Sequence, residues 1–198
     1  MAIDGYMYFQ DYKDVFQKSE STVDKTTIND KDKMWKDEKL GFKKAGDAGG
    51  LFEIEDFSFD IEQTLNIGSQ STGAGAGKVT FNPFSITRKI DRFSPLLFQA
   101  SCSGTPYQKV GLGLRKSAGG NTAGIIYLVF LFKLAAVKTI SWSYDDESPK
   151  ETTTFEYGGL QVHYCPQKSD GGLADVIPSG WNRVRNVLDD SPESALIK

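Results

Sequence analysis

The side chains in this chain most able to make or break bonds are few: one histidine, His163, and two cysteines, Cys102 and Cys165, in 198 residues. A catalytic triad or a metal centre needs such groups to converge with a nucleophile or with further ligands. His163 sits between Val162 and Tyr164 in an alternating stretch, so it is expected on the outer face of a strand. Cys102 lies between Ser101 and Ser103 where a helix should end, and no G-x-S-x-G elbow is present. The two thiols lack a metal-ligand spacing and are too few for a disulfide framework, so both are read as reduced packing residues. Residues 73–78, Gly-Ala-Gly-Ala-Gly-Lys, invite a phosphate-loop reading. The pattern G-x-x-x-x-G-K-[ST] would need glycine at Thr72 and Ser or Thr at Val79, and the stretch opens a strand rather than a helix. The acidic pairs Glu53/Glu55 and Asp60/Glu62 could suggest a glycosidase carboxylate pair. Alternate positions on one strand face the same way, however, and the simpler reading is a solvated face. Asp145-Asp146-Glu147 lacks the ligand spacing of a calcium loop and reads as a turn. No catalytic residue, metal or cofactor is expected from these residues.

Composition narrows the partners. Hydrophobic residues make up 39% and charged residues 25%, with 23 Lys and Arg against 26 Asp and Glu for a net charge of −3. That is ordinary for a soluble globular protein and gives no reason to expect nucleic acid. The start, Met1-Ala-Ile-Asp-Gly-Tyr, has neither a basic nor an apolar signal region. The apolar run 123–132 ends at Lys133, well short of the roughly 20 residues that span a bilayer. A protein made in the cytoplasm, without membrane insertion, is expected, and export would have to use a route that needs no signal peptide.

The elements that must position these residues are mostly strands. Residues 2–9 read as a first strand. Residues 18–50 turn to Lys, Asp, Ser and Thr, with Met34-Trp35 and Leu40-Gly41-Phe42 as apolar islands, and read as a long arm or loop. Phe57, Phe59, Ile61, Leu65 and Ile67 then alternate with Ser58, Asp60, Glu62, Thr64 and Asn66, one face for a core and one for water. Phe52 and Ile54 have the opposite parity, which predicts a bulge or sheet change near Asp56. Val79 and Phe81 shift phase past Asn82-Pro83 to Phe84 and Ile86. Ser94-Pro95 predicts a helix N-cap and first position, with Leu96, Leu97, Phe98 and Ala100 on its buried side and Gly104 as its end. Val110, Leu112 and Leu114 mark another strand. Residues 125–132 are apolar on both faces, Tyr127, Val129 and Leu131 opposing Ile126, Leu128, Phe130 and Phe132. An antiparallel strand normally keeps one wet face, so the second must meet the helix or another subunit. The strand continues through Ile140, Trp142 and Tyr144, turns, and returns from Thr152 to Tyr164. Beyond Pro166 only Gly180-Trp181-Asn182 and residues 184–188 are apolar. The fold class is mainly β: an antiparallel β-barrel of two sheets with one short α-helix. Residues 1–187 form one domain that includes the arm, and 188–198 form a C-terminal tail.

Several stretches, in order, resemble the Hcp family, the tube proteins of type VI secretion systems. They are Glu53-Ile54-Glu55 with Phe57-Ser58-Phe59, Gly75-Ala76-Gly77-Lys78-Val79, Ser94-Pro95-Leu96-Leu97 with Cys102-Ser103-Gly104, and Leu114-Arg115-Lys116-Ser117-Ala118-Gly119-Gly120. Val162-His163-Tyr164-Cys165-Pro166-Gln167 and Gly180-Trp181-Asn182 look like closing signatures of the same family. The resemblance implies a non-enzymatic β-barrel subunit of hexameric rings that stack into a secreted tube. Its implied partners are further copies of itself, a spike protein of the VgrG type, contractile sheath proteins and effectors carried in the lumen. The arm 18–50 and the tail after Val187 are longer than the family's usual pattern, which bears on the stacking geometry. On this reading Ser58, Asp60 and Glu62 face the lumen. Met34, Trp35 and Phe42 belong to an arm that docks on the adjacent ring, and deleting 25–45 should abolish stacking but spare single rings. Tyr127, Val129 and Leu131 contribute to a subunit interface. Two rivals are the tail-tube protein of a phage or other contractile injection particle, and a monomeric ligand-binding β-barrel. The second would need an apolar interior cavity, whereas Phe57, Phe59, Phe81 and Phe84 predict a filled core.

Overall fold

The computed structural model describes residues 3–20, 32–64, 79–116, 124–144, 148–168, 172–189 and 191. The glycine run 73–78, Leu65, Asn66 and Ile67, residues 117–120 and the turn 145–147 lie outside the described residues. The elements are β1 (Ile3–Gln10), α1 (Lys33–Lys36), α2 (Phe42–Asp47), β2 (Phe52–Ile54), β3 (Asp56–Ser58), β4 (Ile61–Glu62), β5 (Thr80–Phe81), β6 (Phe84–Lys89), α3 (Ser94–Ser103), β7 (Tyr107–Lys116), β8 (Ile125–Tyr144), β9 (Pro149–Tyr164), β10 (Ile177–Asn182) and β11 (Val187–Leu188).

All strand pairings are antiparallel, and one sheet runs β11-β10-β9-β8-β7-β1-β2. On the far side of β9 lies β6, which also pairs with β3. The backbone therefore changes partner between β2 and β3: Gly5 to Met7 lie beside β2, while the Glu55 N–H donates to Thr87 O at 2.8 Å on β6. This is the sheet change that the parity break at Phe52 and Ile54 predicts. It makes the sheet barrel-like, although the hydrogen-bond ladder does not close, because the circuit crosses from β2 to β3 through the chain itself. A second, two-stranded sheet pairs β4 with β5. The half-buried strand expected from residue 57 onward is thus divided into short pieces, and Ile61 is 47% exposed.

Alternation puts Met7, Phe9, Val110, Leu112, Phe132 and Phe155 inside. Phe84 and Phe132 stack at 4.0 Å between ring centroids in the middle of this core, and Phe9 meets Phe93, Tyr107 and Phe155 at 4.9–5.4 Å. Offset and edge contacts of this kind add about 0.5–1.5 kcal/mol per pair to the burial of the rings. Phe81 is buried, and Phe57 and Phe59 pack against the same cluster, so the interior is filled with side chains.

The helix content differs from expectation. α3 stands where it is predicted, with Pro95 in its first turn and Gly104 left-handed at φ 66° after its end. Ser94 is its first residue rather than its cap, and the Asp91 carboxylate accepts the Phe93 N–H at 2.8 Å. Leu97 and Ala100 face the core, but Leu96 and Phe98 point outward. Two further helices, α1 and α2, lie in the arm. At the other end, the domain boundary expected after residue 187 falls inside β11.

Candidate functional site

Residues 32–50 of the arm form a layer on the outside of β1, β7 and β8, and one carboxylate pins it there. Asp32 Oδ1 caps α1 by accepting the Met34 and Trp35 N–H groups at 2.9 and 3.0 Å, and Oδ2 accepts the Ile126 N–H at 2.7 Å. Its carboxyl pKa is raised by burial, an effect these three donors partly oppose. Met34, Trp35, Leu40, Phe42 and Ala45 cluster with Tyr6, Tyr8, Ile126, Val129 and Leu131 as a second core, and the Tyr8 hydroxyl donates to Leu40 O. Glycines make the seat. A Cβ on Gly111 would lie 2.2 Å from the Tyr8 ring, and one on Gly113 would lie 2.9 Å from the Phe42 ring.

This layer answers the question raised by the doubly apolar strand in a way the sequence did not suggest. Val129 and Leu131, expected at a subunit interface, are 0% exposed within the single chain, beneath the arm. Met34, Trp35 and Phe42, expected to anchor on a neighbouring ring, are 0%, 4% and 0% exposed because they supply that cover. Deleting residues 25–45 would therefore uncover β8 rather than only unstack rings. A register shift between Leu114 and Arg115 on β7 places Ile126 with Val129 and leaves Tyr127 half-buried, with the Lys116 ammonium 4.2 Å above its ring.

His163, expected on the outer face of a strand, pairs with Val129 beneath the arm and is buried there, with Gln161 Oε1 3.4 Å from its Nε2. Burial lowers the imidazole pKa, opposed by Asp37 of the arm and reinforced by Lys133. Lys133 is itself buried. Its ammonium donates to Asp189 Oδ2 at 3.3 Å and to Ser191 O at 2.6 Å, while Gln161 Nε2 donates to Asp189 O at 2.9 Å. The chain after β10 is thus strapped onto β8 and β9 by buried polar groups. Cys165 is buried and reduced, Cys102 is exposed and reduced, and Cys102 lies at the surface end of α3, whereas His163 lies under the arm.

Ser58, Asp60 and Glu62 are all exposed. Asp60 accepts the Asn82 side-chain amide at 2.6 Å, Ser58 lies opposite Ser85, and Glu62 lies opposite Thr80. Glu55 pairs with Lys150 at 3.4 Å, so the acidic pairs sit on solvated strand faces. Among the described residues no three His, Cys, Asp or Glu side chains are grouped to hold a metal ion. A buried charge cluster that sequence reasoning missed joins Arg88, Asp91 and Glu151. Arg88 contacts Asp91, lies 4.0 Å from Glu151 and stacks over Phe52 at 4.8 Å. Only the interruption of the strand alternations by charged residues at these positions could have signalled it. Nothing in this set converges on a substrate-sized interior. What the chain offers is surfaces held rigidly by a filled core.

Comparison with known proteins agrees. The family described as type VI secretion system effector, Hcp, matches residues 36–164. Protein hcp1 of Pseudomonas aeruginosa is 36% identical over 113 residues, 56% of this chain and 68% of that protein. A solved structure described as a type six secretion system protein superposes with a TM-score of 0.70 at 21% identity, covering 95% of this chain and 100% of that one. Hcp1 from Salmonella typhimurium superposes with a TM-score of 0.64 at 20% identity, covering 96% and 100%. These likenesses show a shared fold, and the family match reaches from the arm through the end of β9. This chain belongs to the Hcp family of type VI secretion proteins.

Proposed function

We propose that this chain is the repeating structural subunit of a type VI secretion inner tube, forming hexameric rings that stack and carry effectors in the lumen. The observation that carries this reading is the aromatic interior, with Phe84 and Phe132 stacked at 4.0 Å at its centre. Aromatic packing of this kind gives the centre of the barrel to side chains, which favours a structural subunit over a ligand-binding monomer and moves function to the outer surfaces. Family membership favours the secretion tube over a phage tail tube.

In this reading the row Ser58, Asp60 and Glu62 lines the wetted lumen and holds effectors by many weak polar contacts. The subunit is made in the bacterial cytoplasm and leaves with the tube, without a signal peptide. Its other partners are the contractile sheath and a VgrG-type spike. With Met34, Trp35 and Phe42 spent inside the subunit, stacking would use the arm's exposed side, where Lys36, Lys39, Lys43 and Lys44 lie.

Substituting Ser58→Arg tests the lumen. Rings should persist by electron microscopy while co-purifying effector falls at least several-fold. Unchanged effector retention in intact rings would remove Ser58 from the lumen wall.

A further inference from the structure

β11 is the outermost strand at one end of the main sheet. Among the described residues its Val187 and Leu188 pair only with Asn182 and Trp181 of β10, and both are exposed. Two such pairs give an edge strand little hold of their own. The hold comes from the chain just after it. The Asp189 N–H donates to Gly180 O at 3.0 Å, and the segment lies flat because a Cβ on Gly180 would run into Asp189 O. The Lys133 ammonium reaches Asp189 Oδ2 at 3.3 Å and Ser191 O at 2.6 Å, and Gln161 Nε2 donates to Asp189 O at 2.9 Å. β11, Asp189 and Ser191 thus form a strap, anchored on the outer face of β8 and β9 by two side chains.

His163 belongs to the same row. It lies two residues from Gln161 on β9, so both side chains leave the strand on one face. Gln161 touches the imidazole with its oxygen and the strap with its nitrogen. Charged groups reach the imidazole from the elements around it: Asp37 from the arm, Lys133 from β8 and, through Lys133, Asp189 from the strap. Lys109 of β7 stands beside Lys133, while the residues opposite His163 on β8 and β10 are the uncharged Val129 and Pro178. His163 is 4% exposed, so an imidazolium there is a second buried cation next to Lys133. Asp37 offsets part of that cost, but burial outweighs it and Lys133 adds to it, and the imidazole pKa lies below its ordinary 6.5.

We propose that the strap is a pH-sensitive latch: protonation of His163 expels the Lys133 ammonium from its site and lifts Asp189, Ser191 and β11 off the sheet. The two cations repel strongly where little water screens them. The ring is fixed in β9, whereas the lysine stem is flexible and its ammonium regains hydration by turning outward, so Lys133 is the group that yields. The strap loses both of its bonds to Lys133 in that step. Gly180, Trp181 and Asn182 then become the open edge of the sheet. The closed strap keeps His163 neutral, so it is favoured above about pH 6.5 and is lost as the pH falls through the lower closed-state value.

Amide hydrogen exchange of the full-length protein at pH 7.5 and 5.5 reads the latch at the Asp189 N–H. Its protection factor, which already allows for the pH dependence of the intrinsic rate, should fall several-fold at the lower pH. The ceiling is about ten-fold, set by one histidine of pKa about 6.5 in the open state. Low urea should leave this opening unchanged, as it leaves local openings, while the Phe132 amide in the β8–β9 ladder follows the urea dependence of global unfolding. The chain has one histidine, so its Cε1–H resonance reports protonation directly, and the loss of protection should track it. In His163→Gln the Asp189 protection should change less than two-fold between the two pH values. If that variant does not fold, the wild-type comparison of protection with the imidazole resonance decides alone. Unchanged wild-type protection, a fall of equal size in His163→Gln, or an Asp189 amide that exchanges only with global unfolding would each overturn the latch.

Discussion

His163 and Lys133 are polar side chains buried where the sequence pattern places ordinary strand residues, and each makes a measurable demand on stability. Burial holds the folded-state pKa of His163 below its ordinary 6.5, so the unfolded chain takes up a proton more readily. Stability is therefore full above about pH 6.5 and is lost as the pH falls from there through the lower folded-state value. Because His163 is the single histidine, urea midpoints measured at pH 7.5 and 5.5 should drop for the wild type and drop distinctly less for His163→Gln. Equal drops would assign the pH dependence elsewhere. Lys133 and Asp189 are 4% and 10% exposed at their side chains, and removing one member of a buried ion pair costs about 3–5 kcal/mol because the other charge is stranded. Asp189→Ala should lower the unfolding free energy by about that amount, and adding Lys133→Met should restore most of it. A double variant no more stable than Asp189→Ala would show that the strap, rather than the charge, carries the effect.

Among the elements, the arm governs the account, because α1 and α2 cover the face of β8 that would otherwise need a partner. Gly113→Val should unseat Phe42 and expose the arm to limited proteolysis, destabilising the fold by about 1–3 kcal/mol through overpacking. Wild-type resistance to proteolysis would mean that the arm repacks around the added side chain. The strands themselves were largely legible: Val110, Leu112 and Leu114 alternate, Phe52 and Ile54 break parity where the chain changes partner, and Ser94-Pro95 and Gly104 bracket α3. The arm was not. Met34-Trp35 and Leu40-Gly41-Phe42 are islands too short to show a helical period, and the bond from Ile126 N to Asp32 joins residues 94 positions apart. Gly111 and Gly113, on the outward parity of β7, were the available sign that something lies flat on that strand. The outward-facing Leu96 and Phe98 were misread because α3 is apolar on both sides, so its pattern alone does not choose which side is buried.

At the scale of the whole molecule, a filled barrel-like core, an arm folded back on β8 and a strap over Lys133 leave function to outer surfaces. Those surfaces include the exposed Ser58, Asp60 and Glu62, divided between β3, the link after it and β4, and exposed apolar side chains such as Phe98 and Trp142. A subunit with these features can assemble without any chemical step, in keeping with its membership of the Hcp family. The central claim is that it assembles into rings, and native mass measured together with negative-stain electron microscopy of the full-length protein tests this most directly. The account predicts a six-fold ring with an open centre at six times the chain mass of 21.9 kDa. A compact particle of one chain mass at all concentrations, with or without sheath and spike proteins, would contradict it.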